Sequence, residues 1–372
     1  MMETSENLIV LAAGGTGGHV FPAEALASEL TNRGYRLSLI TDRRGGALGN
    51  LETHRIRAGG IAGKNFTALL RNGPELAVGT LQSWSLLKKL QPKAVIGFGG
   101  YASVPTMLAA TFGNYNSIIH EQNAVLGRAN RLLANRVKRI ATSFKSTRLV
   151  PKSALNKVVH TGMPVRHEVA AVRNIPYPEL TNEGELRLLI LGGSQGAHIF
   201  SQVIPEAIAR LNEDLKSRLF ISQQCRPEDL DNTRDAFQLL AVNVELKSFF
   251  NDIPEQFARS HLLLSRAGAS TVSEAMTVGR PAILVPYPHA VDDHQKFNSH
   301  ALDEVGGGWL MSQESFTPDA LAERLGSLLA VPKILKSAAK CARSSGQPDA
   351  AVKLADAVCD LIGKDENERR AA

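Results

Sequence analysis

The sequence predicts an α/β protein built from two Rossmann-like domains with parallel sheets, and three observations carry that prediction. At 372 residues the chain is too long for one comfortable core and suits two domains that each bury their own. A short apolar strand, a glycine-rich turn and a helix open the chain at Leu8, and the same unit restarts at Leu186, a separation of one domain length. The apolar runs are short and unbroken, as in strands covered on both faces of a parallel sheet.

In chain order, Leu8 to Ala13 reads as a buried strand and Gly14-Gly15-Thr16-Gly17-Gly18-His19 as its turn. Pro22 to Leu30 follows as a helix with the proline in its first turn. Gly34 ends that helix and Leu37 to Thr41 is the next strand, giving a βαβ unit with a right-handed crossover. A dinucleotide fingerprint would also use these glycines, with Asp42 on a ribose. GxGxxG counted from Gly15 finds Val20 where the last glycine belongs, which leaves Asp42 as a strand-end residue. Ala94 to Phe98 is a further strand, running into a second glycine turn, Gly99-Gly100-Tyr101-Ala102-Ser103-Val104-Pro105, ahead of a helix. Ser117 to His120 is another, ending in Glu121-Gln122-Asn123. Loops at the C-terminal ends of parallel strands are where open α/β sheets place their ligands.

Between these strands, Leu69, Leu70, Leu76, Leu81, Trp84, Leu86 and Leu87 lie near Arg71, Lys88, Lys89 and Lys93. A helix of this composition packs on its own sheet or lies on an anionic leaflet.

His160 to Arg166 closes the first domain, and the polar, proline-containing stretch Asn174 to Gly184 begins the second. The expected division is 1–165, completed by a last helix over 347–363, and 166–346. In the second half Leu186 to Leu191 is a strand, Gly192-Gly193-Ser194-Gln195-Gly196-Ala197 a glycine turn, and Ile199 to Leu211 a helix. Val242 to Leu246, Leu262 to Leu264 and Ala282 to Val285 supply strands, with a loop at Phe249-Phe250-Asn251-Asp252-Ile253. After Leu264 the chain turns through Gly268 into a helix beginning near Ser270. Such a turn leaves backbone N–H groups unpaired at the positive end of a helix dipole, a ready site for phosphate. Glu274, one turn in, would accept from sugar hydroxyls or serve as a capping-box partner. Asp292-Asp293-His294-Gln295 reads as a loop. Beyond Pro318 the chain is helical, and its last helix runs from Asp349 to Ile362 with Gly363 just past its end.

Composition narrows the function classes. The net charge is +6, but basic residues are spread along the chain and aromatic residues make up only 5%, which argues against a nucleic-acid partner. Cys225, Cys341 and Cys359 are odd in number and form no CxxC pair, so neither a disulfide framework nor a zinc site is indicated. Asp229-Leu230-Asp231 has the spacing of a metal-binding motif, but reads as the solvated face of a polar helix. The N-terminus is acidic where a signal peptide would be basic, and no segment reaches the roughly 18 apolar residues of a spanning helix. A soluble or peripheral protein of a reducing cytoplasm is expected.

The turn at Gly14 to His19, Phe98-Gly99-Gly100-Tyr101, His120-Glu121-Gln122-Asn123, Gly162-Met163-Pro164-Val165-Arg166, the turn at Gly192 to Ala197 and the stretch from Ser265 to Gln295 occur in a specific order. Through them, nearly the whole chain resembles the MurG-like family of bacterial glycosyltransferases, which convert lipid I to lipid II in peptidoglycan synthesis. The resemblance implies a GT-B fold, two Rossmann-like domains facing across a cleft, with the last helix crossing back to the first. It implies an inverting transfer of N-acetylglucosamine from UDP-N-acetylglucosamine to the muramyl 4-hydroxyl of lipid I.

The positions matching the family's donor site are Ser194, Phe250, Ala269, Ser270, Thr271, Val272, Ser273, Glu274 and Gln295, with Thr16, Gly17, Gly18, Asn123 and Arg166 from across the cleft. Phe250 would offer backbone groups to uracil, Glu274 would read ribose and Gln295 the sugar. Arg166 and the helix N-termini at Ser194 and Ser270 would balance diphosphate charge. Gly15, Gly99, Gly100 and Tyr101 are expected at the acceptor. His19 is the first candidate for the base, with Glu121 in reserve. No cofactor and no metal are expected in the site.

The resemblance also implies attachment to the cytoplasmic face of the inner membrane, which makes the segment around Leu81, Trp84 and Leu87 membrane-facing. Expected partners are lipid I, the anionic membrane surface and other proteins of cell-wall synthesis and division. Val104, where related sequences often have glycine, and Pro288 depart from the family pattern. Two other readings stay open: a sugar-nucleotide epimerase on the same fold, and a nucleotide-sugar-binding module without catalysis.

Overall fold

A computed structural model describes residues 7–14, 17–43, 46, 48–58, 66–181, 183–193, 196–240 and 242–371. The chain forms two compact units, Met1–Arg166 with Asp349–Ala372, and His167–Pro348.

Unit 1 contains β1 (Leu8–Ala12), α1 (Gly17–Asn32), β2 (Arg36–Asp42), β3 (Glu52–Ile56), α2 (Phe66–Leu90), β4 (Ala94–Gly97), α3 (Gly100–Phe112), β5 (Ser117–Glu121), α4 (Arg128–Ala134), β6 (Arg139–Thr142) and β7 (Val158–His160). Its sheet is parallel, in the order β3-β2-β1-β4-β5-β6-β7. The strand alternation sorts the core into two layers. Ile9 and Leu11 face Leu26, Leu30 and the closing helix, while Val10 and Ala12 face Leu87, Met107 and Leu133.

Unit 2 contains α5 (His167–Val172), β8 (Leu186–Leu191), α6 (His198–Ala209), α7 (Glu213–Arg218), β9 (Leu219–Gln224), α8 (Leu230–Gln238), β10 (Asn243–Lys247), α9 (Ile253–Arg259), β11 (Leu262–Ser265), α10 (Ala269–Val278), β12 (Ala282–Leu284), α11 (His294–Asp303), β13 (Gly308–Leu310), α12 (Pro318–Leu329) and α13 (Pro332–Ser345). The sheet is again parallel, ordered β10-β9-β8-β11-β12-β13. Leu188, Ile190, Leu264 and Ile283 pack with Phe200, Ile204 and Leu325 in its core. The last helix, α14 (Ala350–Ala371), returns to unit 1, where Leu354 and Val358 join the layer under Leu11.

Both sheets reverse their strand order at one point, between β1 and β4 in unit 1 and between β8 and β11 in unit 2. The glycine and small-residue turns follow those four strands, so each unit carries a pair of them at its switch point, the position where such sheets bind ligands.

Three local expectations are revised, and one strand had no counterpart in the sequence pattern. The helix α1 begins at Gly17, placing Pro22 in its interior rather than its first turn. The strand β3 carries Glu52, Thr53, His54 and Arg55 and buries only Ile56, so a sheet edge hides it from an apolar pattern. His294 and Gln295 open α11 instead of lying in a loop, because Asp292 and Asp293 take left-handed φ angles of 54° and 53° just before it. Aspartate tolerates that region better than most residues. Finally, α14 runs through Gly363 to Ala371. Asp365 lies 3.6 Å from Lys138 and accepts from Asn116 at 3.4 Å, contacts that offset the glycine's cost of about 1 kcal/mol.

Candidate active site

In unit 1 three loops meet the ends of β1, β4 and β5. Gly15 and Thr16 lie outside the described residues. A Cβ on Gly14 would come within 2.7 Å of Ala102 Cβ, so the backbone of the first turn passes too close to α3 for any side chain. Gly17, Gly18 and His19 form the first turn of α1, and the half-buried His19 points Nδ1 at Gln122 Oε1, 3.1 Å away. The second turn brings Gly99 and Gly100 against the same ring. Both have left-handed φ angles, 76° and 68°, and a Cβ on Gly100 would stand 3.4 Å from His19 Nε2. Tyr101 is half-buried in the first turn of α3.

The third loop is held by buried polar groups. Glu121 Oε1 accepts from Asn123 N–H at 2.9 Å and Asn123 Nδ2 at 3.2 Å, while Oε2 accepts from Gly127 N–H and Asn130 Nδ2, each at 2.8 Å. Four donors fill the acceptor positions of one carboxylate, so Glu121 anchors residues 121–130 and fixes Asn123. Gln122 donates from Nε2 to Phe98 O at 2.9 Å and His120 O at 3.2 Å, with His120 Nδ1 at 3.1 Å. The other ring nitrogen of His120 lies 3.3 Å from Gly162 O. Complete burial, with His19 nearby, lowers the pKa of His120 to about 4, so this ring is neutral at pH 7. Arg166 stacks its guanidinium over Phe21 of α1 at 4.9 Å.

In unit 2 the turn after β8 includes Gly193 and Gly196 at positive φ, and Gly192 N–H donates to Gln224 Oε1 at 3.2 Å. Ser194 lies outside the described residues. The turn after β11 enters α10 with Gly268 as N-cap and no side-chain cap bond. The first intrahelical bond runs from Val272 N–H to Gly268 O at 3.0 Å, which leaves the N–H groups of Ala269, Ser270 and Thr271 without helical acceptors. Ser270 Oγ is buried and also unpartnered. Three amides and a hydroxyl at the positive end of a helix make an oxyanion site, of the kind that binds phosphate. Val272 and Ser273 are buried, and the Val272 N–H is taken by Gly268 O, so the open donors end at Thr271. Glu274, 5% exposed, is too far into α10 for a capping box, whose acid would stand at Thr271.

Phe250 is buried, with Lys247 over its ring at 5.4 Å, so the side chain anchors its loop and the backbone is what remains to be offered. Gln295 Oε1 accepts from Tyr287 N–H at 2.9 Å, which turns its amide N–H₂ outward as a donor.

Two supporting residues had no assigned role in the sequence reading. Arg266 donates to Val285 O and Pro286 O, both at 3.3 Å, and to Gln313 Oε1 at 2.7 Å, and it lies over the rings of Phe200 and Tyr287. Burial lowers its pKa, and Arg226 nearby adds to the effect. It braces Tyr287, and through it Gln295. Asn298 is fully buried and donates to Ala267 O at 3.0 Å, tying α11 to the turn before α10. Arg266 was visible as a charge inside a small-residue turn. Asn298 stood at an ordinary helix position and left no signal.

Asp229 departs from the solvated face expected of it: it is buried and accepts from His198 Nδ1 at 2.7 Å, whereas Asp231 is exposed and pairs with Arg234. Among the described residues no group of three or more His, Cys, Asp or Glu side chains could hold a metal ion.

On α2, Leu81 is 62% and Trp84 42% exposed, while Leu87 is fully buried. Lys88 Nζ sits 4.1 Å from the Trp84 ring. Leu69, Leu70 and Arg71 lie outside the residues whose side chains are described. Among the described residues no helix is long and apolar enough to cross a membrane.

The N-terminal domain model of glycosyltransferase family 28 matches residues 9–142, and the C-terminal domain model matches residues 187–354. The UDP-N-acetylglucosamine–N-acetylmuramyl-(pentapeptide) pyrophosphoryl-undecaprenol N-acetylglucosamine transferase of Paramagnetospirillum magneticum is 59% identical over 365 residues, covering 97% of this chain and 98% of its own. The protein of the same name from Rhodospirillum rubrum is 55% identical over 354 residues, with coverage of 94% and 91%. The crystal structure of Acinetobacter baumannii MurG aligns with a TM-score of 0.78 at 29% identity, over 95% of this chain and 99% of that one.

Proposed function

The chain belongs to glycosyltransferase family 28, and from that premise we propose that it transfers N-acetylglucosamine from UDP-N-acetylglucosamine to the muramyl 4-hydroxyl of lipid I, giving lipid II and UDP. The observation that carries the reading is the likeness, along both units, to relatives named for this transfer.

Each unit supplies a distinct part of the chemistry. In unit 2 the amides of Ala269, Ser270 and Thr271 and the Ser270 hydroxyl take the diphosphate, joined by Ser194 at the other turn. Glu274 accepts from the ribose hydroxyls, the Phe250 backbone meets the uracil edge, and the outward amide of Gln295 donates to the sugar. In unit 1 the glycine turns at Gly15, Gly99 and Gly100, with Tyr101, receive the acceptor. Thr16, Gly17, Gly18, Asn123 and Arg166 serve the donor. The 4-hydroxyl oxygen attacks the anomeric carbon, the bond from that carbon to the β-phosphate oxygen breaks, and UDP leaves with the electron pair. His19 takes the hydroxyl proton. Arg166 and the backbone amides meet the charge developing on UDP, with no metal in this reading, so chelators should leave the rate unchanged.

The acceptor's lipid tail requires work at a membrane surface. We assign that contact to Leu81, Trp84 and Lys88 of α2 on the cytoplasmic leaflet, where an apolar face edged by lysines binds anionic lipid. Proteins of cell-wall synthesis and division are the expected neighbours there.

One assay separates the competing readings. With UDP-N-acetylglucosamine alone a transferase releases UDP slowly, and adding a short-chain lipid I analogue accelerates release. An epimerase would convert the sugar nucleotide without acceptor, and a binding module would do neither.

A further inference from the structure

The hydrogen bonds around His19 form a one-directional chain that reaches well beyond the residue itself. Gly162 O is an acceptor only, so the His120 nitrogen 3.3 Å from it, Nε2, carries the proton. His120 Nδ1 is then an acceptor, and the group 3.1 Å from it on Gln122 must be the amide N–H₂. Two more acceptors, Phe98 O at 2.9 Å and His120 O at 3.2 Å, face the same end of that amide and require the same orientation. The carbonyl end of Gln122 therefore faces His19 Nδ1 at 3.1 Å, and an oxygen there accepts only from an N–H.

We propose that Gln122 is a positioning residue that fixes the neutral His19 ring as its Nδ1–H tautomer, leaving the Nε2 lone pair to receive the acceptor's proton. This rests on the reading of His19 as the base. The Nε2 edge is the one set against Gly100, where the absence of a side chain keeps the lone pair accessible. Gln122 and His120 are both buried, so water does not compete for these bonds. An amide suits the task because it orients the ring without adding a negative charge that would hold the proton once taken. His120 stays neutral through the assay range, which keeps the far end of the chain in one protonation state.

Two measurements test the proposal. Long-range ¹⁵N–¹H correlation spectra of the full-length protein with ¹⁵N-histidine labelling, at a pH where His19 is neutral, read its tautomer with no substrate present. A protonated Nδ1 and a bare Nε2 are expected in the wild type, and a protonated Nε2 would overturn the proposal. In Gln122→Leu the tautomer preference should collapse and kcat should fall about tenfold or more, with little change in donor KM. Gln122→Glu should restore the Nδ1–H form and part of kcat, since the acceptors at Phe98 O, His120 O and His120 Nδ1 hold its carboxyl protonated and the remaining C=O still faces His19. Retention of both the tautomer and kcat in Gln122→Leu would contradict the proposal. Failure of the base reading itself shows separately, as normal turnover in His19→Ala.

Discussion

The two units repeat one device, a pair of turns at the switch point of a parallel sheet, and fill it with opposite chemistry. In unit 1 the turns enclose two imidazoles joined through an amide by side-chain hydrogen bonds, His19 and His120 with Gln122 between them, and Glu121 holds the loop beside them. In unit 2 the corresponding place holds backbone amides, an unpartnered serine hydroxyl and the half-buried Arg266. One arrangement suits moving a proton and the other suits holding an anion. The backbone needs only glycine to bring a turn close, and the side chains around it decide what the turn does.

The sharpest way to break this comparison is His19→Ala. Loss of a general base should lower kcat by about 10²–10⁴-fold while donor affinity changes little, and near-normal turnover would remove His19 from the chemistry. Next comes the pH dependence of stability. His120 binds its proton more weakly in the folded state, at about 4 against 6.5, so its contribution is present above pH 6.5 and is lost as pH falls toward 4. The loss amounts to about 3 kcal/mol across that window, measurable by denaturant titration at a series of pH values. His261 of unit 2, lowered by burial, adds a term of the same sign. A flat stability profile between pH 7 and 4 would contradict the burial of a neutral His120.

Unit 2 should respond in binding instead. Glu274→Gln should weaken the donor by about 1–3 kcal/mol in calorimetric titration, through its hydrogen bonds to ribose. Unchanged affinity would withdraw that role. Smaller still, Ser270→Ala should cost about 1 kcal/mol of donor affinity with no loss of fold stability, because its hydroxyl has no partner within the protein to lose. A destabilised fold would mean the hydroxyl serves structure.

The strands beside each switch point were legible because they are buried on both faces and read as unbroken apolar runs. The edge strand β3 was not, since water covers much of it and its residues are polar. The glycine turns could be read as ligand sites because close backbone approach demands glycine, as Gly14 against Ala102 makes plain. Partnerships across the sequence left no such trace. His19 and Gln122 lie 103 positions apart, and only the fold sets the ring beside the amide. Glu121 illustrates the limit: a carboxylate beside a candidate base reads as a second base, and its four loop donors become visible only once the backbone turns around it.

The most direct test of the transfer is to supply the full-length protein with UDP-N-acetylglucosamine and a short-chain lipid I analogue, and to characterise the product by mass spectrometry and NMR. The account predicts one UDP released per disaccharide, with the new linkage at the muramyl 4-position in the β configuration. An α linkage, or UDP release that ignores the acceptor, would contradict it.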